Sequence, residues 1–76
     1  MAPHATTFYV NGEPETTEHH KEKVRWVLET AGFTLAENYT LTRDNGNKEF
    51  TELDEEIPIH EGERFTATFK GPTPTS

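Results

Sequence analysis

Histidines 4, 19, 20 and 60 are the first candidates for chemistry, because neutral imidazole is a common metal ligand. Zinc pairs on one helix need i, i+3 or i, i+4 spacing. No two histidines have it: His19 and His20 are neighbours, and neighbouring helical side chains point in different directions. No metal ligand is assigned. Carboxylates crowd the segment from Glu49 to Glu63. Two of them would do glycosidase-type work only in a pocket that keeps one protonated. A chain that is 30% hydrophobic offers no such cleft, so they read as a solvated face. The stretch "DEEIPIHEGE" lacks the Asp/Asn alternation of a calcium loop. Ser76 is the sole serine, cysteine is absent, and no glycine-rich phosphate loop is present. Thiolate nucleophiles, disulfides and iron–sulfur clusters are thereby excluded, and a serine nucleophile with a positioned base is not expected. Nothing here reads as an enzyme, and no cofactor is implied.

Recognition chemistry is better represented. Trp26 lies off the apolar stripe of its helix by about 100–200° at about 100° per residue. It therefore packs at the helix margin against the first hairpin or is partly exposed, and exposed tryptophan is enriched at binding hot spots. Trp26, Thr68 and Lys70 are the candidate partner contacts. The chain closes on "FKGPTPTS", whose Gly71–Ser76 part has nothing to bury. Those residues could extend about 20 Å at about 3.3–3.6 Å each. Pro72 and Pro74 bias them toward an open, polyproline-like course.

The elements that hold these residues follow from spacing. Residues 1–5 read as a flexible leader, 6–70 as one folded domain and 71–76 as a flexible tail. "TTFYV" alternates, with Phe8 and Val10 on one face. Asn11-Gly12 is a hairpin turn signal, and Pro14 assigns the returning strand to a sheet edge. Thr17 or Glu18 is the expected helix start. Val24, Val27, Leu28 and Ala31 form its single apolar stripe. Gly32 fits the left-handed position after its end, with Phe33 folding back. "NYTLTRDNGNKEFTEL" reads as a second hairpin around Asn45-Gly46, with Tyr39, Leu41, Phe50 and Leu53 toward the core. Pro58 is expected to prevent a regular strand, leaving Ile57 and Ile59 to plug the open end of the core. "RFTATFK" is the last strand, with Phe65, Ala67 and Phe69 inward. Thr40, Thr42, Thr66 and Thr68 are expected to face outward. The order β-β-α-β-β-β, with the last strand parallel to the first, is an α+β β-grasp: a mixed sheet of four to five strands on one helix.

Several stretches resemble a specific group. "FYVNGEPE", "VLETAGF", "YTLTRDNG" and "LDEEIPIHEGERFTATF" look like the bacterial ubiquitin-like family known as multiubiquitin, over residues 7–70. The resemblance implies a ubiquitin-like β-grasp acting as a protein modifier, with Gly71 and Ser76 at the site of conjugation or processing. It implies a ubiquitin-activating-like enzyme, a conjugating-like enzyme, a deubiquitinase-like metallopeptidase and target proteins as partners, with antiviral defence as one setting. The chain departs from ubiquitin and the sulfur carriers in lacking a terminal diglycine: Gly71 is followed by Pro72. It departs again in presenting threonines where ubiquitin presents an aliphatic patch.

Charge narrows the partners further. The formal charge of −7 argues against phosphate backbones and anionic membranes. No apolar run approaches the ~20 residues of a membrane span. "MAPHATT" has no basic or apolar signal region, so the expected location is cytoplasmic. The alternative to a modifier is a non-covalent interaction module, binding through the helix or by strand addition at the Pro14 edge.

Overall fold

The computed structural model describes residues 5–70. The strands are β1 (Thr6–Val10), β2 (Glu13–Thr17), β3 (Lys21–Lys23), β4 (Tyr39–Arg43), β5 (Lys48–Phe50), β6 (Glu56–Pro58) and β7 (Arg64–Phe69). Helix α1 (Val24–Thr30) follows β3, and a 3-10 turn (Ala36–Asn38) precedes β4. Residues 71–76 of the expected tail, and 1–4 of the expected leader, lie outside the described residues.

Five strands form one mixed sheet in the order β2-β1-β7-β4-β5. β7 runs parallel to β1, with Val10 beside Phe65, and antiparallel to β4, with Leu41 beside Ala67. The expected central pairing of last strand and first is therefore present, and β2 with Pro14 lies at the edge. The inward faces of β1, β4 and β7 bury Phe8, Val10, Leu41, Phe65 and Ala67 against Val24, Val27 and Leu28 of α1. The arrangement is an α+β fold compatible with a β-grasp.

Three expectations need correction. The helix does not begin at Thr17 or Glu18, and "KEK" before it is strand β3, paired with β6. Residues 18–23 have no apolar stripe to lay on the sheet, whereas the first buried helical side chain is Val24. Thr17 caps no helix. Its hydroxyl donates to Glu22 Oε2 and accepts the His19 N–H at 3.1 Å. Second, Pro58 ends β6 instead of preventing it. The Ile59 N–H bonds His20 O at 2.9 Å, and alternation turns the Pro58 nitrogen away from β3. Ile57 and Ile59 do close the core, at 1% and 4% exposure. Third, the last strand's inward alternation fails at its end, because Phe69 is 64% exposed. It projects past the core and leans on Tyr39 instead.

Helix α1 has no side-chain cap at its start. The N–H groups of Val24 and Arg25 instead donate to Glu55 O and Leu53 O, each at 3.0 Å. Such free N–H groups must find partners when buried, and here a remote turn supplies them. At the other end, Gly32 N–H donates to Glu29 O and Phe33 N–H to Leu28 O, at 3.0 and 2.9 Å. Those two bonds make a Schellman motif, with Gly32 at φ 95° as expected.

The first turn does more than reverse the chain. Asn11 and Gly12 take φ of 54° and 84°. β1 stops at Val10 while β7 runs on, and the Asn11 side chain stands in for the missing ladder residue. Its Oδ1 accepts the Ala67 N–H at 2.9 Å, and its Nδ2 donates to Ala67 O at 3.2 Å. Asn11→Gly keeps the turn and removes only this clamp, with an expected loss of about 1–2 kcal/mol. Urea unfolding measures it, and hydrogen exchange at Ala67 should accelerate. Asn11→Ala should lose more, since a β-carbon at positive φ adds about 1 kcal/mol. Equal stability of all three proteins would show that the clamp contributes nothing.

A second clip joins the far end of the sheet. Arg43 Nε lies 2.9 Å from Glu63 Oε2, with side-chain exposures of 20% and 9%. The approach is off the N–H axis, so Nε makes an ion pair without a hydrogen bond. Arg43 Nη2 donates to Pro58 O at 2.9 Å, and its guanidinium lies 5.4 Å from the Phe50 ring centre. Glu63 also accepts the His60 N–H at 3.2 Å.

Candidate functional site

The end of β7 gathers the largest exposed apolar side chains. The Schellman turn sends Phe33 back toward the sheet, where its ring meets Tyr39 edge-on at 5.0 Å. Tyr39 opens β4 and is the register partner of Phe69, whose ring lies 5.4 Å away. Leu35, in the connecting loop, is 63% exposed and holds a left-handed φ of 61°. A non-glycine residue there costs about 1–2 kcal/mol. Three rings packed edge to face, with exposed Leu35 in the loop before them, thus line the place where the main chain leaves the sheet. The exit is anchored by the Lys70 N–H, which donates to Asn38 O at 2.8 Å.

The candidate residues fall into two places. Thr68 and Lys70 are exposed at this exit. Trp26 is not among them. It is half-buried, tilts 46° against Phe8 at 6.2 Å, and borders a groove with Ala5, Thr16, Thr17 and His19. Those neighbours stand at the start of β1 and the end of β2. β7 runs parallel to β1 and continues beyond it, so its exit lies at the opposite end of the sheet. Trp26 therefore combines both arrangements its helical position allowed: a margin contact and a partly open ring. Gly71 and Ser76 lie outside the described residues.

The outer sheet face is a threonine surface with one exception. Thr66 and Thr68 are exposed and Thr42 is half-buried, but Thr40 is 7% exposed and counts as buried. Thr40 is a short side chain on an interior strand, shaded by neighbours such as its register partner Thr68. Thr66 Oγ1 donates to Asp44 Oδ1 at 2.7 Å, tying that face to the second hairpin.

Beside Trp26, Glu22 Oε2 also meets His19 Nδ1 at 3.0 Å. Thr17 and His19 thus share one carboxylate oxygen of Glu22, an arrangement that orients the loop after β2. Among the described residues no group of three or more His, Asp or Glu side chains could hold a metal ion. No described helix is long and apolar enough to cross a membrane.

Family models, curated proteins and solved structures gave no match to this chain. The exit surface therefore rests on its geometry alone. Leu35 and Phe69 were missed as surface residues in the sequence. Each sits in a pattern that reads as core, and the one available signal was Phe69's place as the last apolar residue before Lys70-Gly71-Pro72.

Proposed function

We propose that this chain is a ubiquitin-like protein modifier of a bacterial ubiquitination-like pathway. Its C-terminal carboxylate is activated and joined to target proteins, or trimmed, by partner enzymes in the cytoplasm. The supporting observation is the exit of β7. A strand held centrally between β1 and β4 ends beside Phe69, Tyr39, Phe33 and Leu35, so residues past Lys70 start from a surface that an enzyme can grip. A carboxylate is a poor acyl donor until one oxygen becomes part of a leaving group. The reading therefore requires an activating-like enzyme, with a conjugating-like enzyme and a deubiquitinase-like metallopeptidase as further partners. The charge of −7 favours protein partners over nucleic acid.

The test expresses the chain with an N-terminal tag in the cell that makes it and recovers it under denaturing conditions. Mass spectrometry should find other proteins attached through its C-terminus. Deleting residues 71–76 should abolish attachment. The pair Leu35→Asp and Phe69→Asp should reduce it at least about tenfold, as loss of a binding hot spot does. A native chain without any adduct ends the modifier reading. The alternative, a non-covalent interaction module, is supported by the half-open Trp26, which needs no free terminus. Partner capture that survives the deletion but not Trp26→Ala would decide for it.

A further inference from the structure

We propose that Asn45 is a self-modification site of the folded protein, whereas Asn11, in the same Asn-Gly pairing, is protected by its strand clamp. The reaction is intramolecular. The backbone nitrogen of the following glycine attacks Cγ of the asparagine side chain and gives up its proton to water. The new N–Cγ bond closes a five-membered succinimide as the Cγ–Nδ2 bond breaks, and the leaving –NH2 takes a proton from water and departs as ammonia. Water then opens the ring at either carbonyl. One opening yields aspartate and the other an isoaspartyl link, in which the main chain passes through the former side chain. No cofactor or second protein is required.

The two sites meet this chemistry in opposite states. Asn45 is exposed, and its carboxamide makes no hydrogen bond to the described residues. Gly46 takes φ 91°, with nothing within 4 Å of the place a β-carbon would occupy, and its N–H donates to no described backbone carbonyl. The bond closing the turn, from Asn47 N–H to Asp44 O, is long at 3.3 Å. The neighbouring Asp44 carboxylate is engaged by Thr66 and turned toward β7. Asn45 Cγ is thus free to rotate onto the Gly46 nitrogen. At Asn11 both ends of the carboxamide are engaged by Ala67, and the Asn11 N–H donates to Phe65 O at 3.0 Å. Attack by Gly12 must first break the two carboxamide bonds. Two hydrogen bonds of ordinary net strength slow Asn11 about thirtyfold relative to Asn45.

The product has a defined effect on this fold. Either opening adds a negative charge to a chain already at −7. The isoaspartyl form also lengthens the main chain in the turn joining β4 to β5, an edge strand held by three register pairs.

The whole chain is incubated in mildly alkaline buffer, with and without urea, and sampled over time. Arg43 and Lys48 bracket the turn, so tryptic digestion isolates it as residues 44–48. Fragment spectra then locate the mass gained when –NH2 becomes –OH. In the folded protein, Asn45 should convert about thirtyfold faster than Asn11, with aspartyl and isoaspartyl products both present. In urea the two rates should converge, and Asn11→Gly should leave the rate at Asn45 unchanged. Equal rates in the folded state overturn the proposal. So does an Asn45 that converts only in urea.

Discussion

Phe8→Ala is expected to remove a large share of the stability of the domain. Phe8 is fully buried, packs edge-on against Phe65 at 6.0 Å, and supports Trp26. Removing a buried phenylalanine ring costs about 3–5 kcal/mol, from lost transfer energy and the cavity left behind. A domain of 76 residues has about 4–11 kcal/mol in total, so the loss takes a large share of it. Urea unfolding should show the midpoint falling by about 1–5 M, for a slope near 1–3 kcal/mol/M. Trp26 fluorescence is the natural probe, because the indole touches the deleted ring. Phe8→Leu keeps most of the volume and should cost under about 1.5 kcal/mol. An alanine variant melting within about 0.5 M of the parent would mean that the thin core collapses around the gap.

Breaking the Arg43–Glu63 clip should be the second largest effect. Arg43→Ala removes the ion pair, the bond to Pro58 O and the packing over Phe50, and leaves a carboxylate at 9% exposure without its counter-charge. Severing a buried pair from one side costs about 3–5 kcal/mol, and the partial exposure of Arg43 puts the expectation near the lower figure. Glu63→Gln should cost less, since its amide still accepts the His60 N–H and leaves Arg43 one neutral partner. The two-sided variant Arg43→Met with Glu63→Leu should be more stable than Arg43→Ala alone, because no orphaned charge remains. Thermal melting of the three variants orders them. If the two-sided variant is the least stable, the pair contributes more than its burial costs, and the argument from desolvation fails.

The elements that were legible share one property: their signals are local. Alternation in "TTFYV" and "RFTATF", the stripe from Val24 to Ala31 and the Gly32 termination each involve neighbours in sequence. The parallel pairing of β7 with β1 followed from chain order and connection handedness. What escaped depends on partners far along the chain. "KEK" is a strand because β6 lies opposite it, and no pattern within the segment says so. The true helix start was hidden for the same reason, since its donors bond a turn that nothing near Val24 announces. Asn11 was read as a turn former, and its second role with Ala67 needs the two strands side by side. Trp26 was singled out by its angle on the helix, and that angle did place it at the margin. The exit patch was invisible, because exposure of Leu35 and Phe69 depends on where the core ends.

The borrowed start of α1 has a kinetic corollary. A seven-residue helix is far below the length that survives alone in water. Its opening donors are met only by Leu53 and Glu55, which arrive from the second half of the polypeptide. During synthesis the segment around Trp26 must therefore wait, uncoiled, until ribosomal output passes that bend. The domain then acquires helix and tertiary packing in one concerted event.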